Sequence, residues 1–144
     1  MPKSNLYIGV LSGTSADSID ALLVDFSKSI KVIDRFSEKI PKKVKDNIFE
    51  LVLNKKLPNY TEKQKELDCK LGKLIGKCVN QLIKKSQVNK QTVKGIGSHG
   101  QTIIHSSSRK KPFSLQIGNP ELIKKLTGIK VVHGFRQSDI ANGG

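Results

Sequence analysis

Tryptophan is absent from the 144-residue sequence, tyrosine occurs twice, phenylalanine five times, and arginine only as Arg35, Arg109 and Arg136. Stacking on bases and bidentate base readout rest on aromatic rings and guanidinium groups. Their scarcity argues against a dedicated nucleic-acid binder in spite of a net charge of +14. The rest of the positive charge is lysine scattered along the chain, which reads as a solvated face. Cysteine is also sparse. Cys69 and Cys78 stand nine positions apart inside one helical pattern, too far for a disulfide, and no Cys/His spacing suits a metal. Two reduced, structural thiols are expected. No run approaches the ~18 apolar residues of a membrane span, and MPKSNLYIGV lacks a secretory hydrophobic core. The expected compartment is the cytoplasm, with no membrane partner. A Walker-type glycine loop with its lysine is missing too.

What is present supports one domain with a proper core. Tyr7 to Phe26, YIGVLSGTSADSIDALLVDF, places two apolar runs, Ile8 to Leu11 and Ile19 to Phe26, around a hydroxyl-rich turn, Ser12 to Ser18. This pattern predicts a β-hairpin with its polar chemistry at the tip. Such a tip presents backbone N–H groups into one concavity, and Ser12, Thr14 and Ser15 add hydroxyl donors, so it suits a phosphate group. Ile30 to Phe36 alternates and predicts a third strand of an antiparallel meander.

Pro41 opens a helix with Val44, Ile48, Leu51 and Val52 on one side, and Pro58 follows its end. Thr61 begins the next, with Thr61 and Gln64 as a capping box. Its stripe of Leu67, Leu71, Leu74, Ile75, Cys78, Val79, Leu82 and Ile83 predicts core packing to about Ser86, without chemistry. Gly95, Gly97 and Gly100 satisfy GxGxxG, but no helical stripe follows Gly100, so a dinucleotide fingerprint is rejected. These glycines are expected where a strand ends, turning sharply or bringing backbone close to a ligand. Ser106 to Lys111 is a basic loop, Phe113 to Ile117 a strand, and Asn119 an N-cap with Pro120 at N1. Leu122, Ile123 and Leu126 are expected on the buried face of that helix, Gly128 ends it, and Ile129 to Val132 forms another strand.

Four blocks, in order, are similar to the anhydro-N-acetylmuramic acid kinase family: Ser12 to Asp20 (SGTSADSID), Gly97 to Thr102 (GSHGQT), Ser114 to Pro120 (SLQIGNP) and Gly134 to Gly144 (GFRQSDIANGG). The resemblance covers nearly the whole chain. It implies an α/β fold, one lobe of an actin-like ATPase or sugar-kinase architecture, in which an antiparallel meander is followed by helices and alternating strand–helix units. It further implies a kinase that uses ATP, Mg²⁺ and water to convert 1,6-anhydro-N-acetylmuramic acid into N-acetylmuramic acid 6-phosphate during cell-wall recycling. Ser12, Gly13, Thr14, Ser15, Ala16, Asp17, Ser18 and Ile19 would hold the nucleotide, with Asp17 or Asp20 orienting a hydrated Mg²⁺. Ser98, His99, Gly100, Gln101, Thr102 and Arg136 would face the sugar, Arg136 through a carboxylate or phosphate oxygen. His99 is a donor to a sugar oxygen or a structural histidine satisfied by backbone. His105 and His133 are expected to be structural.

Two residues depart from the family pattern: Ser18 stands where glycine is usual, and Gly134 replaces an aspartate. Full-length members are expected to be homodimers and continue past the position of Gly144, through a GQGAPL-like segment, into a second lobe. That lobe carries the aspartate general base and the adenosine pocket. The resemblance therefore implies that residues 1–144 form an N-terminal lobe, from a truncated or a split gene, with no sugar turnover by this lobe alone and, in the split case, a complementary C-terminal polypeptide as its partner. A catalytically inactive nucleotide- or sugar-binding module is the alternative, and a basic nucleic-acid binder a weaker one.

Overall fold

The protein is described from a computed structural model, which describes residues 5–53, 62–106 and 110–144. The hairpin is present. Strand β1 (Leu6–Ser12) pairs antiparallel with β2 (Ser18–Asp25), which pairs antiparallel with β3 (Lys31–Lys39). Helices α1 (Lys42–Leu53) and α2 (Glu62–Ser86) follow, then a single 3₁₀ turn over Lys90–Thr92. β4 (Val93–Ser106) lies parallel to β1, and β5 (Phe113–Ile117) returns antiparallel along the second half of β4. Helix α3 (Pro120–Thr127), the short strand β6 (Val131–Val132) and helix α4 (Phe135–Ala141) complete the chain. The sheet order is β3-β2-β1-β4-β5, with β6 parallel to the first half of β4.

Alternation along β1 and β2 decides which face is buried. Ile8, Val10, Ile19, Ala21 and Leu23 point into one core with the α2 stripe of Leu67, Leu71, Ile75, Cys78, Val79 and Leu82. Val44 and Ile48 of α1 join the same core. Its apolar stripe made α2 legible as a helix, and the same stripe gives the sheet its cover. Thr61, the expected capping residue, lies outside the described residues, as do Pro58 and Arg109.

Cys78 is buried, and its thiol lies 3.5 Å from the Ile19 carbonyl oxygen. Burial pushes this thiol up to about 12, so it stays protonated and unreactive at neutral pH. Cys69, also free, is half-buried. Alkylation at pH 8 followed by peptide mass spectrometry is expected to modify Cys69 and to reach Cys78 only after denaturant is added. Equal rates at the two thiols would mean that α2 does not sit on the sheet.

Two sequence-based expectations need correction. Residues 93–106 form one continuous strand rather than a strand ending at its glycines, because the chain absorbs Gly100 in a bulge and carries on. Leu126 is 44% exposed rather than buried; the inner face of α3 is made by Ile123 and Thr127. Residues 135–141, whose sequence carries no clear periodic signal, are helical.

Candidate functional site

The bulge organises the site. Val10 of β1 stands opposite Ser98, but the next residue, Leu11, stands opposite Gly100, so His99 is the extra residue in β4. Bulges of this kind re-aim side chains and cluster beside active sites. Gly100 has φ +72°, and a Cβ there would lie 2.4 Å from the Ile117 carbonyl oxygen of β5. Only glycine fits that position. β1 and β4 are adjacent parallel strands, and the turn at residues 13–17 lies at the carboxyl end of β1, where open α/β sheets bind ligands.

Hydrogen bonds draw the four sequence blocks onto this part of β4. Ser12 Oγ donates to Gln101 Oε1 at 2.5 Å, and Gln101 Nε2 donates to the Gly13 carbonyl at 3.1 Å. Gln101 is 1% exposed; it clamps the turn to β4 from within. From the third block, Gln116 Nε2 donates to Thr102 Oγ1 at 3.3 Å. From the fourth, Arg136 Nε donates to His99 Nε2 at 3.1 Å, and His99 Nδ1 lies 3.2 Å from the Gly100 carbonyl oxygen. A neutral ring with its proton on Nδ1 satisfies both contacts, accepting from the arginine and donating to the carbonyl.

The turn itself is tight. The Ala16 N–H donates to the Gly13 carbonyl at 3.0 Å, and Ala16 is buried with φ +52°, a left-handed conformation that costs an alanine about 1 kcal/mol. Gly13, Thr14 and Ser15 are exposed, and among the described residues their amides have no backbone partner. Three amides without a backbone partner and the Thr14 hydroxyl thus stand at an exposed tip, while the Ser15 hydroxyl turns to Asp17. The Asp17 carbonyl accepts from the Ile40 N–H at 2.9 Å, fixing the turn against the end of β3.

The Asp17 carboxylate pairs with Lys45. Hydrogen bonds from Lys45 and Ser15 hold its pKa below the ordinary carboxylate value. Ser18 lies in β2 and has no left-handed backbone angle, so its replacement of glycine imposes no strain. Its hydroxyl donates to Asp20, as does that of Ser37. Among the described residues, no group of three or more His, Cys, Asp or Glu side chains is placed to hold a metal.

A cleft of about 80 Å³ opens beside the bulge, lined by Asp68, Ser98, His99, Gly118, His133 and Gln137 among others. Ser98 is 3% exposed, and its hydroxyl has no hydrogen-bond partner among the described residues. An unpaired buried hydroxyl costs about 1–3 kcal/mol, a loss that a ligand oxygen would recover. Arg136 borders a second pocket of about 290 Å³ with His105, Pro112 and Asp139. Gly134, in the left-handed region at φ +74°, begins α4 without a side-chain cap.

Three participants escaped the sequence reading. Asp68 of α2 accepts the Gly118 N–H through Oδ1 at 2.8 Å and the Asn119 N–H through its backbone carbonyl at 3.1 Å, which positions the GNP segment. Lys45 neutralises Asp17, and Gln116 reaches Thr102. Only the polar position of Asp68 beside an otherwise apolar stripe could have drawn notice.

Residues 5–144 match the sequence profile of the anhydro-N-acetylmuramic acid kinase family. The chain is 44% identical to the anhydro-N-acetylmuramic acid kinase of Coxiella burnetii over 144 residues, covering all of this chain and 38% of that protein. It is 44% identical to that of Shewanella sediminis over 145 residues and 41% identical to that of Saccharophagus degradans over 146, covering 99% of this chain in each case and 38% and 39% of those proteins. It therefore spans less than two-fifths of the length of these relatives. With the four blocks gathered on β4 and the match running through all of them, the chain belongs to the anhydro-N-acetylmuramic acid kinase family.

Proposed function

We propose that residues 1–144 form the N-terminal lobe of a sugar kinase that phosphorylates 1,6-anhydro-N-acetylmuramic acid at the expense of ATP, with water opening the anhydro ring. The observation that carries the reading is the double link from Gln101 to Ser12 and Gly13. It makes the phosphate-suited turn and the GSHGQT block one rigid unit. Phosphoryl transfer is mainly positioning plus neutralisation of oxygen charge, and the unit is built for both.

In this reading the amides of Gly13, Thr14 and Ser15 and the Thr14 hydroxyl hold phosphate oxygens, while the Ser15 hydroxyl braces Asp17. Ala16, Asp17, Ser18 and Ile19 shape the turn, and Ser12 anchors it. Mg²⁺ keeps several waters and needs only one or two protein carboxylates beside the phosphates. Asp20, exposed and partnered by hydroxyls, fits that role through water; Asp17, already neutralised by Lys45, fits it less well. When bound, the ion would offset phosphate charge. Ser98 and His99 face the sugar from the cleft, the Gly100 bulge aims them, and Thr102 and Gln101 support the strand. Arg136 offers the remaining N–H groups of its fork to a carboxylate or phosphate oxygen.

Attack of water on an anomeric carbon needs a carboxylate base, and no described residue matches that family role. We place it in the part of the relatives' length that this chain does not span. We take the assembled enzyme to act in the cytoplasm, where ATP and two unpaired thiols are both at home.

Titrating the ¹⁵N-labelled chain with Mg·ATP is the test. Shifts centred on the amides of residues 13–18, with millimolar-range affinity, are expected, together with no transfer of labelled phosphate to the sugar by this chain alone. Shifts that leave the turn untouched, or sugar phosphorylation by these 144 residues unaided, would sink the reading.

A further inference from the structure

The turn between β1 and β2, SGTSADS, contains no lysine or arginine. Backbone amides contribute only partial positive charge, whereas a triphosphate brings several full negative ones, and a Walker loop adds a lysine to its amides for that reason. The positive charge nearest this turn comes from other elements. Lys39, at the end of β3, stands opposite Ser18 in the β2–β3 register. Lys45, in the first turn of α1, carries its ammonium to the Asp17 carboxylate.

Lys45 is held against the turn at three points. The Ile40 N–H on the Asp17 carbonyl, at 2.9 Å, fastens the chain entering α1 to the turn. The Lys45 ammonium lies over the Phe49 ring, 5.9 Å from its centroid, and donates to Asp17 Oδ1. Because the Ser15 hydroxyl donates to the same carboxylate, one side chain gathers the cation and the middle of the turn. An ammonium has three N–H donors, and Asp17 takes one, which leaves donors for an incoming oxygen. With side chains 35% and 66% exposed, the Lys45–Asp17 pair adds little stability as an ion pair. Its geometric effect is to aim a cation at the turn.

We propose that Lys45 supplies the lysine that the turn lacks, binding a phosphate oxygen of the triphosphate held at residues 13–15, and that Asp17 is the positioning residue that aims it. The inference deepens the proposed function and rests on it. On this assignment the two members of one ion pair act on an anion in opposite directions. Lys45 attracts it, and the Asp17 carboxylate repels it while holding the ammonium in place.

The test titrates the ¹⁵N-labelled 144-residue chain and its variants with inorganic tripolyphosphate in EDTA, which removes any metal contribution, and reads the amides of residues 13–18. Lys45→Met keeps an unbranched stem beside Phe49 and loses the charge; it is expected to bind about 5-fold more weakly or worse, and Lys45→Arg to recover most of that loss. Lys42→Met removes the same charge from the same helix, at a side chain 88% exposed, and is expected to match the parent. Asp17→Asn keeps an oxygen for Lys45 and removes the repelling charge, so it is expected to bind more tightly than the parent. A Lys45→Met affinity equal to that of the parent overturns the inference. So does an equal loss in Lys42→Met, which would make the effect one of net charge, or an equal loss in Asp17→Asn, which would make Lys45 a structural partner of the turn. If Mg·ATP shifts residues 13–18 of the parent while Lys45→Met binds as the parent does, this inference falls and the proposed function stands. A parent whose turn responds to neither ligand overturns both.

Discussion

Gly100→Ala is expected to remove about 3 kcal/mol or more of stability, enough to unfold much of a domain whose whole margin is of order 5–15 kcal/mol. Two costs combine. Alanine at φ +72° costs about 1–2 kcal/mol from the Cβ–carbonyl contact alone. Its Cβ would also lie 2.4 Å from the Ile117 carbonyl oxygen and 3.2 Å from the Ile117 carbonyl carbon. Both atoms are backbone of β5, which is paired through Ile117 to Gln101, so relief requires breaking the β4–β5 ladder. Gly9→Ala is the comparison. With nothing within 4 Å of its new methyl, and strand glycine costing about 0.5–1 kcal/mol relative to alanine, it should be neutral or slightly stabilising. Urea unfolding of the two variants reads the difference directly. A Gly100→Ala midpoint equal to that of the parent would mean that the bulge is not where the structure puts it.

Gln101→Ala is expected to cost about 2–4 kcal/mol and to abolish the nucleotide-induced shifts at residues 13–18. The side chain is fully buried and satisfied at both ends. Truncation leaves the Ser12 hydroxyl and the Gly13 carbonyl without their partner and opens a cavity, and these losses combine. Because Ser12 and Gln101 bond to each other, Ser12→Ala and Gln101→Ala should be non-additive, with a coupling of about 1 kcal/mol or more in a double-mutant cycle. Strict additivity would show that the turn is held by its own geometry and not by β4. Loss of nucleotide shifts without loss of stability would assign Gln101 to the ligand instead of the scaffold.

The elements that could be read from sequence are those whose signals are local. The β1–β2 hairpin followed from two apolar runs around a hydroxyl-rich turn, and α2 from its stripe. The start of α3 followed from Asn119, whose side chain accepts the Leu122 N–H at 3.2 Å. Its end followed from Gly128, left-handed at φ +70° with its N–H on the Lys124 carbonyl. The course of β4 was not legible, because glycine-rich sequence resembles a strand end unless the partner strand that accommodates the bulge is known. α4 escaped because it is seven residues long and buries none of them. Leu126 was misplaced because periodicity gives a side and not a depth; it packs against Gly76 of α2 at the rim. In the site, the four blocks were visible as motifs, but their convergence depends on Ser12–Gln101, His99–Arg136 and Asp68–Gly118 contacts. These span 89, 37 and 50 positions, and no window along the chain contains them.

The central placement of β1 carries a consequence for synthesis. Its neighbour on one side, β2, leaves the ribosome almost with it, but its neighbour on the other, β4, follows only after both long helices. Until Gln101 emerges, the tip is held only from the β3–α1 side, through Ile40 and Lys45, and one edge of β1 stays open to water. The turn is thus among the earliest segments to be made, yet Ser12 gains its partner on β4 only 89 residues later.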